Sequence, residues 1–188
     1  QVTAPPRYEL LDGLRGIAAI MVVVYHIYEC FPADTWLMGH GYLAVDFFFL
    51  LSGFVVGHAY DKRLQAKSTG CGMSTWDFLK RRLVRLHPMV VMGVLLGLGS
   101  FLLTNRMGWY GEQATPSATL LATLLALLLI PSVPGAVSDV RGFGELYSLN
   151  GPHWTLFFEY LGNILYVLCL RRLSNLRLAA WTLLVGVG

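Results

Sequence analysis

Long apolar stretches separated by short polar segments dominate the pattern of this sequence. Their lengths and the residues that interrupt them predict six helices. These are placed at 12–30, 41–60, 83–104, 117–130, 154–170 and from 178 onward. Several runs approach the roughly 20 apolar residues that a helix needs to cross a bilayer. The pattern therefore predicts an all-α fold, a polytopic transmembrane bundle with about five to six membrane segments.

Composition strengthens the membrane interpretation. Of the 188 residues, 55% are hydrophobic and 13% are charged, whereas soluble domains carry about 25% charged residues. The first apolar run holds internal charged residues and no small-residue cleavage site, which excludes a signal peptide. The last run is still apolar at Gly188. We therefore expect residues 1–188 to be the N-terminal part of one domain in a longer polytopic protein.

The distribution of positive charge predicts which side each loop faces. The net charge of +3 fits basic cytoplasmic loops, and no nucleic-acid partner is expected. The loop 61–76 and the arginines that follow it form the densest positive cluster, so this loop and the N-terminus are expected in the cytoplasm. If each successive helix crosses the membrane, Arg171, Arg172 and Arg177 lie outside. This conflicts with the rule that basic loops face the cytoplasm. The weakest crossing is 117–130, which rises about 21 Å against a core of about 30 Å, so it is either re-entrant or spans a locally thin bilayer.

The first helix carries two polar residues on one stripe. Arg15 and His26 are 11 positions apart, which at 100° per residue returns to within about 20° of the same face. They lie about 16.5 Å apart along the helix axis, so they do not touch. Arg15 is either a snorkelling anchor or a binding residue, and His26 is either a satisfied core histidine or a functional group facing a cavity.

Two carboxylates also lie in apolar surroundings. Asp46 stands just inside the second predicted helix and Glu159 in the fifth. A buried carboxylate needs a partner, so each is expected to orient His26 or to pair with an arginine; alternatively Asp46 is interfacial and Glu159 forms a structural salt bridge. The remaining histidines, at helix ends or in loops, are interpreted as solvated or interfacial: His40, His58, His87 and His153. The three cysteines form no metal or redox motif, and no metal is expected.

Four segments together resemble the acyltransferase-3 family of integral membrane O-acyltransferases. LDGLRGIAAIMVVVYH (11–26) has the family's basic residue and histidine in the first helix, and VDFFFLLSGF (45–54) its second-helix signature. RRLVRLHP (81–88) is similar to its Arg-rich third-helix segment, with His87 where tyrosine is commoner. NGPHWTLFFEYLGNILY (150–166) is similar to its Trp-Ser-Leu segment and glutamate, with Thr155 for serine and Tyr160 for a second acidic residue.

This resemblance implies transfer of an acyl group, usually acetyl, from cytoplasmic acyl-CoA (acetyl-CoA) to a carbohydrate or glycoside hydroxyl. An alcohol attacking a thioester needs a base, for which His26 is best suited, with Glu159 and Asp46 as further catalytic candidates. Arginine binds phosphate with a bidentate fork, so the predicted donor-binding residues are Arg15, Arg81, Arg82 and Arg85. Arg81 and Arg85 share one helical face. Thr155 and Trp154 are the predicted acceptor-binding residues, and Tyr160 is expected to point away from the side shared by Thr155 and Glu159.

Two other classes of membrane protein account for parts of this sequence pattern. A proton-coupled transporter or flippase would use His26, Asp46 and Glu159 as a relay, but it would not need the basic segment together with the Arg15–His26 stripe. A structural or sensory membrane subunit explains the apolar helices and leaves the stripe unexplained. For the acyltransferase, the expected location is a bacterial inner membrane, in contact with lipid, with a cytoplasmic N-terminus.

Overall fold

A computed structural model describes residues 9–30, 40–66, 72–142 and 144–186. Within these ranges all regular elements longer than an isolated β-bridge are helical, which confirms the predicted all-α fold. The described ranges contain six α-helices: α1 (Glu9–Cys30), α2 (Leu43–Gln65), α3 (Thr75–Leu103), α4 (Pro116–Leu127), α5 (Trp154–Leu168) and α6 (Asn175–Gly186). Short 3₁₀ turns at Gly151–His153 and Leu170–Arg172 flank α5.

Three of the described helices are long and apolar enough to cross a membrane. These segments are Leu10–Tyr28, Leu43–Gln65 and Thr75–Leu103, with 19, 23 and 29 residues. The apolar helix α4 has only 12 residues, which corresponds to about 18 Å. The chain is therefore a multi-pass membrane protein in which some helices are too short to cross alone.

The chain divides into two compact units, 1–62 and 63–188. The first contains α1 and most of α2. In this unit the turn before α2 packs closely on α1, since a Cβ added at Gly41 would collide with the ring of Tyr25. Glycine is therefore required at this position for the two helices to approach each other.

The third helix begins eight residues earlier than its apolar pattern predicted, at Thr75 rather than 83. Ser74 caps it: the Ser74 side chain accepts a hydrogen bond from the Asp77 amide, and the Asp77 carboxylate accepts one from the Ser74 backbone. This reciprocal capping box satisfies two backbone donors at the helix start. The apolar run thus marks only the more hydrophobic part of a helix whose first turns are polar.

One face of α3 forms the core of the second unit. The buried residues recur mostly every four positions: Phe78, Arg82, Leu86, Val90, Val94 and Phe101. Helix α4 packs on this helix through small residues, with Ala118 and Ala122 against Phe101, and Ala126 against Val94. Side chains this small allow the two helices to approach closely.

Helix α5 runs antiparallel to α3. The rings of Phe78 and Tyr166 are 5.9 Å apart at the start of α3, whereas Gly93, much further along α3, lies beside His153, just before α5 begins. Beyond α5, Arg171 Nη1 donates to the carbonyl of Leu64 at 3.4 Å. The end of α5 and the start of α3 therefore lie at one end of this unit, here called the basic end; the opposite end of α3 is the distal end.

Helix α4 does not run the length of α3. It starts beside Phe101 at the distal end and stops where Ala126 meets Val94. The chain that follows stays along the same half of α3, since a Cβ at Gly97 would collide with the carbonyl of Leu149. Of the two alternatives for the weakest segment, this geometry fits the re-entrant one.

The re-entrant path removes the conflict in the charge pattern. Because α4 turns back and only α5 continues to the basic end, Arg171 lies with the other arginines rather than opposite them. Strict alternation, which counts α4 as a full crossing, would instead place Arg171 at the opposite end; the membrane topology of α4 stays a prediction.

Candidate functional site

An ion pair joins two of the segments that the sequence singled out. Nη2 of Arg82 on α3 donates to Oε1 of Glu159 on α5 at 2.7 Å. The side chain of Arg82 is 3% exposed and that of Glu159 is 24% exposed. The structure thus brings a predicted donor-binding residue and a predicted catalytic residue into direct contact. Of the two interactions expected for Glu159, it shows pairing with an arginine.

Neighbouring groups on α5 support this ion pair. Asn163 is buried, and its amide Nδ2 donates to the backbone carbonyl of Glu159 at 2.7 Å. The hydroxyl of Tyr160 donates to the carbonyl of Leu83 on α3 at 3.5 Å. The expectation that Tyr160 points away from the Glu159 side is therefore wrong, because both side chains reach α3.

The arginine cluster is divided by the helix period. Arg82 turns inward to Glu159, whereas Arg81 and Arg85 are exposed on the outer face of α3. The early start of α3 also corrects their position: they lie in its second and third turns rather than at its entry. Of these three arginines, only Arg81 and Arg85 have the surface position that a role in binding phosphate requires.

The other predicted catalytic and donor-binding residues lie in the first unit. On α1, Arg15 and His26 are exposed, and the His26 ring makes an edge contact with Tyr25 at 5.6 Å between centroids. Asp46 is exposed in the first turn of α2. Exposed positions on apolar helices fit groups that face a ligand or another segment of the bundle. Their roles stay predictions.

The two predicted acceptor-binding residues begin α5. The Thr155 hydroxyl donates to the carbonyl of Pro152 at 2.9 Å, which ties the helix start to the preceding turn. Trp154 is exposed and packs edge-on against Phe158 at 6.0 Å. Thr155 is partly exposed and keeps acceptor capacity on its oxygen. Their role in acceptor binding stays a prediction.

His153, which directly precedes α5, is buried, and the sequence did not reveal this burial. Its position predicted a solvated or interfacial histidine, but its exposure is 1%. Its ring lies 5.3 Å from that of Tyr147, and its Nδ1 is 3.5 Å from Asn150 Nδ2. Burial lowers the pKa of His153, and a backbone hydrogen bond with Ala126 partly offsets this. The imidazole is therefore neutral at physiological pH.

The loop around His153 holds further buried polar groups. The Tyr147 hydroxyl donates to the carbonyl of Leu129 at 2.9 Å, and burial raises its pKa to about 12. Burial also raises the pKa of Glu145. The sequence signal for this cluster is weak, because its burial depends on packing against α3 and α4.

Comparison with known proteins identifies the protein family of this chain. The acyltransferase-3 family, whose model describes an acyltransferase domain, matches residues 8–188. "Protein 2 in picA locus" of Rhizobium radiobacter is 35% identical over 168 residues, covering 86% of this chain and 82% of that protein. O-acetyltransferase OatA of Staphylococcus aureus is 37% identical over 87 residues, covering 46% of this chain and 13% of that protein. No solved structure matches the chain.

The helical membrane fold and these matches define the class as membrane O-acyltransferases. The chain belongs to the acyltransferase-3 family, which confirms the resemblance carried by its four segments. It spans most of the Rhizobium protein but about one eighth of the length of OatA.

Proposed function

We propose that the protein moves an acyl group, in the simplest case acetyl, from cytoplasmic acyl-CoA to a hydroxyl of a carbohydrate or glycoside at a bacterial inner membrane. The name of OatA supports acetyl as the group transferred. The observation that carries the proposal is the division of the arginine cluster. Arg82 is held by Glu159 inside the helix pair, while Arg81 and Arg85 stay exposed at the basic end, where a phosphorylated donor would be attracted.

The proposed chemistry is direct acyl transfer. His26 takes the proton of the acceptor hydroxyl while that oxygen attacks the thioester carbonyl carbon. The carbon–sulfur bond breaks, coenzyme A leaves as a thiolate, and the proton on His26 passes to that sulfur. Arg15 binds phosphate of the donor, and the flexible arm of the coenzyme spans the distance to His26 along α1. Thr155 and Trp154 contact the acceptor.

Glu159 is the catalytic candidate that contacts the arginine cluster. Its carboxylate neutralises the buried Arg82, and its partial exposure leaves it accessible to a polar group. Asp46, in the first unit, stays a further catalytic candidate in this proposal. The N-terminus and the basic end face the cytoplasm in this proposal, which agrees with the positive-inside rule for Arg81, Arg85 and Arg171 together.

The proposal is tested by giving the purified full-length protein acyl-CoA and an acceptor mixture. Release of free coenzyme A is measured with and without acceptor. In parallel, mass spectrometry compares the surface glycans and small glycosides of cells with and without the gene. Acceptor-dependent release and an acyl-sized mass difference support the proposal. If neither is observed with protein that melts cooperatively, the proposal is wrong.

A further inference from the structure

A polar pocket at the basic end includes the predicted donor-binding residue Arg81 and extends to residues that have no role in the site described above. It has a volume of about 450 Å³, within the range of small-molecule sites. Its lining residues come from the end of α2, the chain before α3 and the first two turns of α3: Arg63, Gly72, Met73, Asp77, Lys80 and Arg81. Three cationic side chains thus face one carboxylate, so the pocket carries a net positive charge.

The walls of this pocket are fixed by hydrogen bonds. The Met73 amide donates to the carbonyl of Arg63 at 2.8 Å, which joins the chain before α3 to the end of α2. The Asp77 carboxylate is held at the helix cap, where Ser74 Oγ donates to it at 2.6 Å. The carboxylate is thereby fixed at the rim as part of the cap. The cations Arg63, Lys80 and Arg81 are exposed and able to meet an anion.

We infer that this pocket, through Arg63, Lys80 and Arg81, binds the phosphate groups of the nucleotide end of the donor. The inference rests on the proposed function and adds Arg63 and Lys80, which were not among the predicted site residues. Guanidinium forks match phosphate oxygens in pairs, and lysine adds a point charge. The volume exceeds that of one phosphate and suits a nucleotide carrying several.

The same phosphate chemistry occurs in anionic lipid headgroups, so the experiment separates the two sources. The full-length protein is placed in nanodiscs of phosphatidylcholine alone and titrated with adenosine 3′,5′-bisphosphate, which has nucleotide phosphates but no thioester. We expect saturable binding, weakened about tenfold by Arg63→Gln and by Lys80→Gln, because each loses a charge-assisted hydrogen bond. Arg106→Gln, an equal change of charge just beyond the distal end of α3, is the matched control and should keep wild-type affinity.

Melting temperatures of all variants are measured on the same samples. The substituted side chains in the pocket are exposed, so melting close to that of the wild type is expected. The assignment is overturned if the bisphosphate binds equally well to wild type and to Arg63→Gln. It is also overturned if the pocket variants change only the binding of phosphatidylglycerol added to the discs, which would identify a lipid site.

The acyl-transfer assay separates failure of this inference from failure of the proposed function. If transfer occurs but the donor KM is the same in wild type and Arg63→Gln, the pocket assignment is wrong and the function stands. If Arg63-dependent bisphosphate binding is found in a protein that transfers no acyl group, the pocket stands and the function is wrong.

Discussion

Nη2 of Arg82 lies 2.7 Å from Oε1 of Glu159. Helix α3 therefore supplies a buried cation, and helix α5 supplies its counter-ion. The two residues are 77 positions apart in the chain. Removing one member of such a pair leaves the other charge in an apolar setting, which destabilises proteins by about 3–5 kcal/mol.

The first prediction concerns this pair. Glu159→Gln keeps the shape of the side chain but leaves the Arg82 charge uncompensated, so we expect a lower melting temperature. The double variant Arg82→Met with Glu159→Leu removes both charges and should recover most of the lost stability. Thermal unfolding and specific activity are measured on the same preparations. A double variant that is stable and inactive supports a direct role of the pair in catalysis, whereas full activity would show that it is structural only.

The second prediction concerns the proposed base. His26→Ala should abolish transfer and leave membrane insertion and expression near normal, because a polar group is removed from an apolar helix on which it is exposed. Coenzyme A release is compared at equal amounts of membrane-extracted protein. A well-expressed His26→Ala protein with full activity would exclude His26 as the base.

Arg15 is expected to act on donor binding more than on the chemical step. Arg15→Ala should raise the donor KM, and Arg15→Lys should restore only part of the loss, since a bidentate fork has become a point charge. Steady-state kinetics with varied acyl-CoA provide the measurement. Unchanged KM with reduced turnover would place Arg15 in helix packing or in the chemical step instead.

The buried His153 predicts a pH dependence of stability. Its pKa is lowered in the folded protein by burial, so the unfolded chain binds more protons once the pH falls below about 6.5. The contribution of the neutral imidazole to the stability of the folded protein is therefore complete above that pH. It is lost progressively as the pH falls toward the lowered pKa of the folded state. Melting temperatures between pH 8 and pH 5 should show this decline, and His153→Phe should flatten it. An equal decline in the variant would assign the effect to other groups.

Two glycines on α3 provide a matched test of the packing of the loop that follows α4. A Cβ at Gly97 would collide with the carbonyl of Leu149, whereas one at Gly99 has nothing within 4 Å. Gly97→Ala should destabilise the protein by about 1–3 kcal/mol, as overpacking does, and Gly99→Ala should be neutral or slightly stabilising. Thermal unfolding of the two variants measures the difference. Equal effects would show that the loop does not pack on α3 as described.

Much of the helical framework can be predicted from the apolar runs, but several boundaries cannot. The first turns of α3 are polar and are set by the Ser74–Asp77 cap, so hydrophobic length misses them. Helix α4 ends at Leu127 although the apolar run continues, because Leu129 takes a left-handed conformation with φ of 54° that turns the chain. Nothing in the composition of that run marks this turn.

The candidate site is predictable to a similar extent. The family resemblance includes Arg82 and Glu159 among the candidate residues, and their contact follows once α3 and α5 pack antiparallel. Which arginine turns inward depends on the register of that packing, which the residue types do not encode. The burial of His153 depends in the same way on distant segments, since it lies beside Gly93 of α3.

The short length of α4 also affects how the protein is built during synthesis. A helix of 12 residues is too short to enter the bilayer as an independent inserting segment. Its alanine face has a surface to bind only after α3 is in place, so α3 must be inserted first. Membrane integration of this region then depends on the order in which α3 and α4 leave the ribosome.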